Sequence, residues 1–359
     1  MSTTNPHRWA PALVTVLSLA LGCTACAGDD AADDSAANPT AAGRAHPGAP
    51  TKKGLVVGFV PKQAQGNLYF SAAGRGGEQA VTRLGSDYKE SGTDSSTDTA
   101  GQIARVEELT EQGADAVVVS AQDPQALCPA LKEAMEQGVK VVTYDSDTSP
   151  ECRHVFVAPV SPEELAYTQV QVLAQQIDYA GDIAILSAAQ SATNQNSWIS
   201  FMREELKDPR YRDMKLVEVA YGDDDHQKSL QKTRDLLRAH PGLKGIISPT
   251  TVGIRAAAEY LSGSEFKGKV RLTGLGTPND LREYVEDGTV EAFELWDPAR
   301  LGDLAARAAV ALASGQITGR EGQLLQGEKD GWWTVKKDGV ITLDQPTLFN
   351  AENIDDYDF

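Results

Sequence analysis

Lys62, Asp145, Asn194, Gln195 and Thr251 can each donate to or accept from a hydroxyl group, and each stands shortly after a run of apolar, β-branched residues. Phe59-Val60-Pro61-Lys62 leads into Asn67-Leu68-Tyr69-Phe70. Further on come Thr143-Tyr144-Asp145-Ser146-Asp147-Thr148, then Ala192-Thr193-Asn194-Gln195-Asn196-Ser197-Trp198, then Ser248-Pro249-Thr250-Thr251 and, later, Glu294-Leu295-Trp296-Asp297. Fixed donors and acceptors beside aromatic faces are what a polyol requires, the polar groups taking its hydroxyls and the rings its C–H side. Taken singly, each residue has a plainer use. Lys62 would serve as a surface lysine, Asp145 as a helix cap and Asn194 as an Asx-turn residue, while Phe70 and Trp296 would suit a core.

Their shared position sets them apart, and it depends on the elements that carry them. Strand patterns fall at 55–60, 116–120, 139–144, 155–157, 183–187, 215–220, 245–247 and 271–275, with amphipathic helical patterns at 101–112, 126–137, 162–179, 196–206, 227–240 and 253–262. Short buried strands alternating with helices predict parallel sheets covered on both faces, and so many strands divide most naturally into two α/β lobes. In such sheets ligands sit beyond the carboxyl ends of the strands, where these polar residues lie.

The chain has 359 residues, 41% of them hydrophobic, which is enough for two cores. Its formal charge of −18 opposes binding to nucleic acid or to anionic lipid surfaces, so no nucleic-acid partner is expected. A weakly basic start followed by an apolar run from Ala10 to Gly22, too short to span a bilayer, reads as an export signal. It ends in Leu21-Gly22-Cys23-Thr24-Ala25-Cys26, which resembles the lipobox of bacterial lipoproteins. Cys26 is the expected lipidated residue and Cys23 the alternative, which would anchor the chain to the outer face of the cell membrane. From Ala27 to about Lys53 the composition is that of a disordered tether. Cys128 and Cys152 remain after processing, and in an oxidising compartment they are expected to be bonded, with two free thiols as the alternative. The five histidines form no ligand-spaced cluster, so neither a metal nor a cofactor is expected.

These residues together resemble the type I periplasmic binding proteins, in particular the branch with the rhamnose-binding and autoinducer-2-binding proteins of ABC importers. The resemblance runs from Leu55 to Phe359 and rests on Phe59-Val60-Pro61-Lys62, Leu127-Cys128-Pro129-Ala130-Leu131-Lys132, Tyr144-Asp145-Ser146-Asp147-Thr148, Pro150-Glu151-Cys152-Arg153, Asn194-Gln195-Asn196, Leu295-Trp296-Asp297 and the ending Tyr357-Asp358-Phe359. It implies two Rossmann-like lobes joined by a three-strand hinge, with the ligand enclosed between them. The implied division is 1–26 signal, 27–53 tether, 54–157 plus 298–329 first lobe, and 158–297 plus 330–359 second lobe. The implied contacts are Lys62, Asp145, Asn194, Gln195, Pro249, Thr250 and Thr251, with Tyr69 and Phe70 facing the ligand and Asp297 reaching a hydroxyl from the second crossing. The implied partners are a neutral sugar and a membrane permease, and the chain is expected to be a monomer. The autoinducer-2 branch has Asp where this chain has Asn194, and Pro-Asp-Ala where it has Pro249-Thr250-Thr251. Both differences favour L-rhamnose or a similar deoxyhexose, with an autoinducer-2 receptor as the alternative.

An exported Rossmann-like enzyme is the competing class. Gly274-Leu275-Gly276-Thr277-Pro278 follows a strand but lacks the third glycine of a dinucleotide fingerprint, and the sequence holds no Gly-x-Ser-x-Gly elbow, P-loop or His-Glu-x-x-His. A repressor of the same sensor fold would carry a basic DNA-binding head where this chain has its export signal and tether.

Overall fold

The computed structural model describes residues 45–327, 331–343 and 345–359. The expected signal, Cys23, Cys26 and most of the tether lie outside the described residues. From residue 45 onward the described residues form one unit.

The first half alternates strand and helix: β1 (Val56–Val60), α1 (Leu68–Arg83), β2 (Asp87–Glu90), α2 (Thr99–Glu111), β3 (Ala116–Val119), α3 (Pro124–Glu136), β4 (Lys140–Tyr144) and β5 (Val155–Ala158). After a crossing the pattern resumes with α4 (Pro162–Gln176), β6 (Ala180–Ser187), α5 (Thr193–Glu205), β7 (Asp213–Tyr221), α6 (His226–Ala239), β8 (Leu243–Ser248), α7 (Thr251–Ser262), β9 (Arg271–Gly274), α8 (Pro278–Glu286) and β10 (Ala292–Leu295). The chain then returns through α9 (Pro298–Ala313), the hairpin β11 (Leu324–Gln326) and β12 (Trp332–Thr334), and β13 (Val340–Thr342), and crosses a last time to β14 (Thr347–Asn350).

Two parallel sheets result, ordered β13-β5-β4-β3-β1-β2 and β7-β6-β8-β9, with β10 and β14 paired antiparallel beside β9. Strands β3 and β4 are buried almost throughout, as parallel strands covered on both faces must be. Several helices begin on side chains that accept from otherwise unpaired amides: Asn67 for α1, Asp98 for α2, Asp123 for α3 and Asp225 for α6.

Helices α1 and α9 pack against each other on the first lobe with nothing larger than hydrogen between their backbones at two points. A Cβ at Gly76 would stand 1.9 Å from the Ala299 carbonyl oxygen, and one at Gly302 would stand 1.9 Å from that of Ala73. This close seating holds the start of α1, with Tyr69 and Phe70, against the segment that carries Trp296.

Two expectations need correction. Residues 330–359 do not all join the second lobe, because β13 pairs in parallel with β5 at the edge of the first sheet. Only after that strand does the chain reach the second lobe, as β14. The tether does not extend free to Lys53 either: the His46 amide donates to the Gly315 carbonyl, the Lys52 amide to Ser314 Oγ, and Gln316 Nε2 to the Ala49 carbonyl. The end of the polar stretch is therefore laid against Ser314, Gly315 and Gln316, just past the end of α9.

Candidate ligand-binding site

The carboxyl ends of β1, β3 and β4 bring Lys62, Ser120 and Asp145 together. Asp145 follows β4 with a φ of 59°, a left-handed backbone that Asp tolerates better than most side chains, and this turns its carboxylate into the cleft. Both of its oxygens are engaged. Tyr69 Oη and Asn194 Nδ2 each donate to Oδ1 at 3.2 Å, and Ser120 Oγ donates to Oδ2 at 2.8 Å. Lys62 Nζ approaches Oδ2 at 3.5 Å, with both side chains almost fully buried.

The Lys62 backbone is held as firmly as its side chain. Its carbonyl accepts from Thr93 Oγ1 at 3.1 Å and from Gln122 Nε2 at 2.6 Å. Burial, with the Asp145 carboxylate beside it, pushes the Tyr69 phenol well above its ordinary range. Tyr69 therefore remains a neutral donor. Its oxygen also accepts from Trp296 Nε1 at 3.0 Å, and the two rings meet edge to face at 6.0 Å. Trp198 lies 6.1 Å beyond Trp296, so an aromatic wall runs from one lobe to the other.

The second lobe meets this set from helix starts. Asn194 and Gln195 stand in the first turn of α5, not in a loop, because the helix begins at Thr193. Gln195 Oε1 accepts from Ser187 Oγ at 2.6 Å and from the Ala188 amide at 2.8 Å, which ties the helix to the end of β6. Thr250 stands at the start of α7 and donates to Asp224. Burial pushes the Asp224 carboxyl up, while Thr250 and Lys62 draw it down. Asp224 takes a φ of 50° in the acidic turn before α6.

One cavity gathers nine of the ten residues singled out in the sequence: Lys62, Tyr69, Phe70, Asp145, Asn194, Gln195, Pro249, Thr250 and Thr251. The exception is Asp297. Its Oδ1 accepts from the Ala299 amide at 2.8 Å and caps α9, and its side chain borders a different hollow beside the C-terminal residues. The demand of an N-terminal helix turn for an acceptor explains the placement. Asn67, Trp198, Asp224, Leu275, Leu295 and Trp296 complete the lining. Asp224 was hidden in the sequence by the run Asp223-Asp224-Asp225, which reads as a solvated acidic turn. A side chain at a helix start following a strand was the one available signal for it.

Away from this network, the sulfurs of Cys128 and Cys152 meet as a disulfide with Cα atoms 5.3 Å apart. It joins α3 to the turn that follows the Asp145 loop. Arg153, next to Cys152, pairs with Asp147 through Nε and Nη2 at 2.6 and 2.7 Å and steadies the same loop from behind.

A family model described as a periplasmic binding protein domain matches residues 57–317, most of the chain. The chain is a periplasmic binding protein. A solved sugar ABC transporter structure from Actinomyces odontolyticus is 42% identical to it, covering 85% of this chain and 98% of that one, with a TM-score of 0.69. An ABC transporter solute-binding protein from Clostridium phytofermentas, solved with bound L-rhamnose, is 35% identical over 85% of this chain and 98% of that one, with a TM-score of 0.82. LsrB from Clostridium saccharobutylicum, in complex with AI-2, is 25% identical over 85% of this chain and all (100%) of that one, with a TM-score of 0.79.

Proposed function

We propose that this periplasmic binding protein is the extracytoplasmic receptor of an ABC sugar importer, that it encloses one neutral sugar between its lobes, and that it is not an enzyme. The observation that carries the reading is the buried Asp145 carboxylate, bonded from the first lobe by Tyr69 and Ser120 and from the second by Asn194. Such a carboxylate is a strong, oriented acceptor for sugar hydroxyls. Lys62 is the single basic residue in the lining, it is paired with Asp145, and the lining has no arginine to grip a phosphate or carboxylate. The ligand is therefore uncharged.

L-Rhamnose or a similar deoxyhexose is the favoured ligand. Asn194 both donates and accepts, Thr250 and Thr251 offer hydroxyls beside methyls, and the relative from Clostridium phytofermentas was solved with that sugar. Autoinducer-2 is the second reading, supported by the likeness to LsrB. The export signal, lipidation at Cys26, a Cys128–Cys152 bond in the exported protein, a monomeric state and delivery to a membrane permease belong to the same proposal.

A thermal-shift screen tests it, because a ligand that binds only the folded state raises the melting temperature. Neutral pyranoses are expected to stabilise the protein, L-rhamnose most, and sugar phosphates to do nothing. Stabilisation by autoinducer-2 alone would exchange the two readings. No response to any neutral sugar would remove the proposal.

A further inference from the structure

Beside the polar cavity lies a second chamber, and the two share Asp145, Asn194 and Trp198. The polar cavity measures about 40 Å³ and its neighbour about 200 Å³, so most of the space next to the Asp145 carboxylate lies in the second chamber. Its remaining wall is chiefly apolar. Phe156, Pro159, Val160 and Pro162 come from the end of β5 and the first crossing, and Ser197 comes from α5.

Asp147 and Thr193, which border this chamber, are already engaged with neighbours. Asp147 Oδ1 accepts from Thr143 Oγ1 at 2.5 Å and from Arg153 Nε at 2.6 Å, and its Oδ2 accepts from Arg153 Nη2 at 2.7 Å. Thr193 Oγ1 donates to the Asp147 carbonyl at 3.1 Å. Asp145 and Asn194 are bonded to each other. Away from Asp145, which faces the sugar, an incoming hydroxyl would find few free partners on this wall, whereas an apolar group would bury its surface at a gain of roughly 25 cal/mol per Å².

We propose that this chamber is a second subsite, which receives an apolar group carried by the sugar held at Asp145. The chain then takes alkyl- or aryl-substituted sugars as well as the free monosaccharide. The inference rests on the reading of the polar cavity as a sugar site. It extends the ligand class from a bare ring to a glycoside whose aglycone lies against Phe156, Val160 and Trp198.

The test is a calorimetric titration of the purified protein with L-rhamnose and with the α and β anomers of 4-nitrophenyl rhamnopyranoside, repeated on Ser197→Phe and Val160→Phe. Ser197 is partly exposed on α5, so its replacement fills the chamber with little risk to the fold, and Val160→Phe fills it from the buried side. One aryl anomer is expected to bind the native protein at least as tightly as rhamnose. Ser197→Phe is expected to weaken that glycoside tenfold or more while leaving rhamnose within twofold, with Val160→Phe doing the same if its melting temperature is unchanged. Exclusion of both aryl anomers alongside normal rhamnose binding would overturn the subsite. So would an aryl affinity that Ser197→Phe leaves untouched. If rhamnose gives no heat, the monosaccharide reading fails on its own, and the response of the aryl glycosides to Ser197→Phe still decides the chamber.

Discussion

Lys62 Nζ stands 3.5 Å from Asp145 Oδ2 in a setting where both side chains are almost fully removed from water. Each charge offsets the desolvation of the other, so removing one partner costs more than the pair contributes. Lys62→Met is expected to destabilise the protein by about 3–5 kcal/mol. Adding Asp145→Asn to it is expected to recover part of the loss, because the orphaned carboxylate is gone. Urea unfolding of the two single variants and the double variant measures the coupling; simple additivity would mean that the pair does not act as a unit.

The Cys128–Cys152 bond closes a segment with a sequence separation of 24 residues. Constraining the unfolded chain over such a loop is worth about 2–4 kcal/mol. Replacing both cysteines with serine is expected to lower unfolding stability by that amount, and reductant is expected to lower the native protein to the level of the variant. Equal stability with and without reductant would contradict this.

Glu294 on β10 is 1% exposed, its Oε1 has no hydrogen-bond partner, and burial pushes its carboxyl from 4.5 up to about 8. The folded state thus holds a proton that the unfolded state releases above about 4.5. Unfolding therefore becomes easier as pH rises through that window and levels off past about 8. Half-buried His154, pushed down from 6.5 to about 4 by desolvation and then by Lys140, acts oppositely and only below about 6.5. Between about 6.5 and 8 the native protein is expected to lose stability with pH. Glu294→Gln is expected to flatten that slope. Chemical unfolding at several pH values, native against variant, reads the difference; parallel slopes would refute it.

Bonds between the lobes are not confined to the cavity. Ser96 Oγ donates to the Asp223 carbonyl at 2.7 Å, and Thr193 Oγ1 donates to that of Asp147 at 3.1 Å. A ligand touching both lobes favours the arrangement in which these contacts form, since only a differential affinity shifts such an equilibrium. Small-angle scattering is expected to record a smaller radius of gyration with sugar than without, and Ser96→Ala is expected to weaken sugar binding a fewfold without touching the cavity. Identical scattering in the two states would argue against closure.

All strands of the two parallel sheets except β2 and β13, and nine residues of the cavity, were legible because parallel βα units place loop residues after each strand on one edge. What escaped the sequence did so for identifiable reasons. Strand β2 (Asp87–Glu90) is polar and half-exposed at a sheet edge, so it shows no apolar run. The glycines of α1 read as helix-breaking until their contact with α9 is seen. Asp297 had the right neighbours for a ligand contact and became a helix cap, and Asp224 stands in an acidic run whose spacing does not mark it for the cavity. A local helix cap decided the first case, and the fold's placing of Asp224 in the cavity lining decided the second.

The central claim is that one buried carboxylate organises the binding of a neutral sugar, and paired calorimetric titrations of L-rhamnose into native protein and Asp145→Asn test it most directly. The substitution keeps the size of the side chain and removes its charge. A hydrogen bond to a charged group contributes about 1.5–3 kcal/mol, so the account predicts saturable binding with unit stoichiometry to the native protein and an affinity at least roughly tenfold weaker in Asp145→Asn. Equal affinity in the two proteins, with the variant fully folded, would contradict the account.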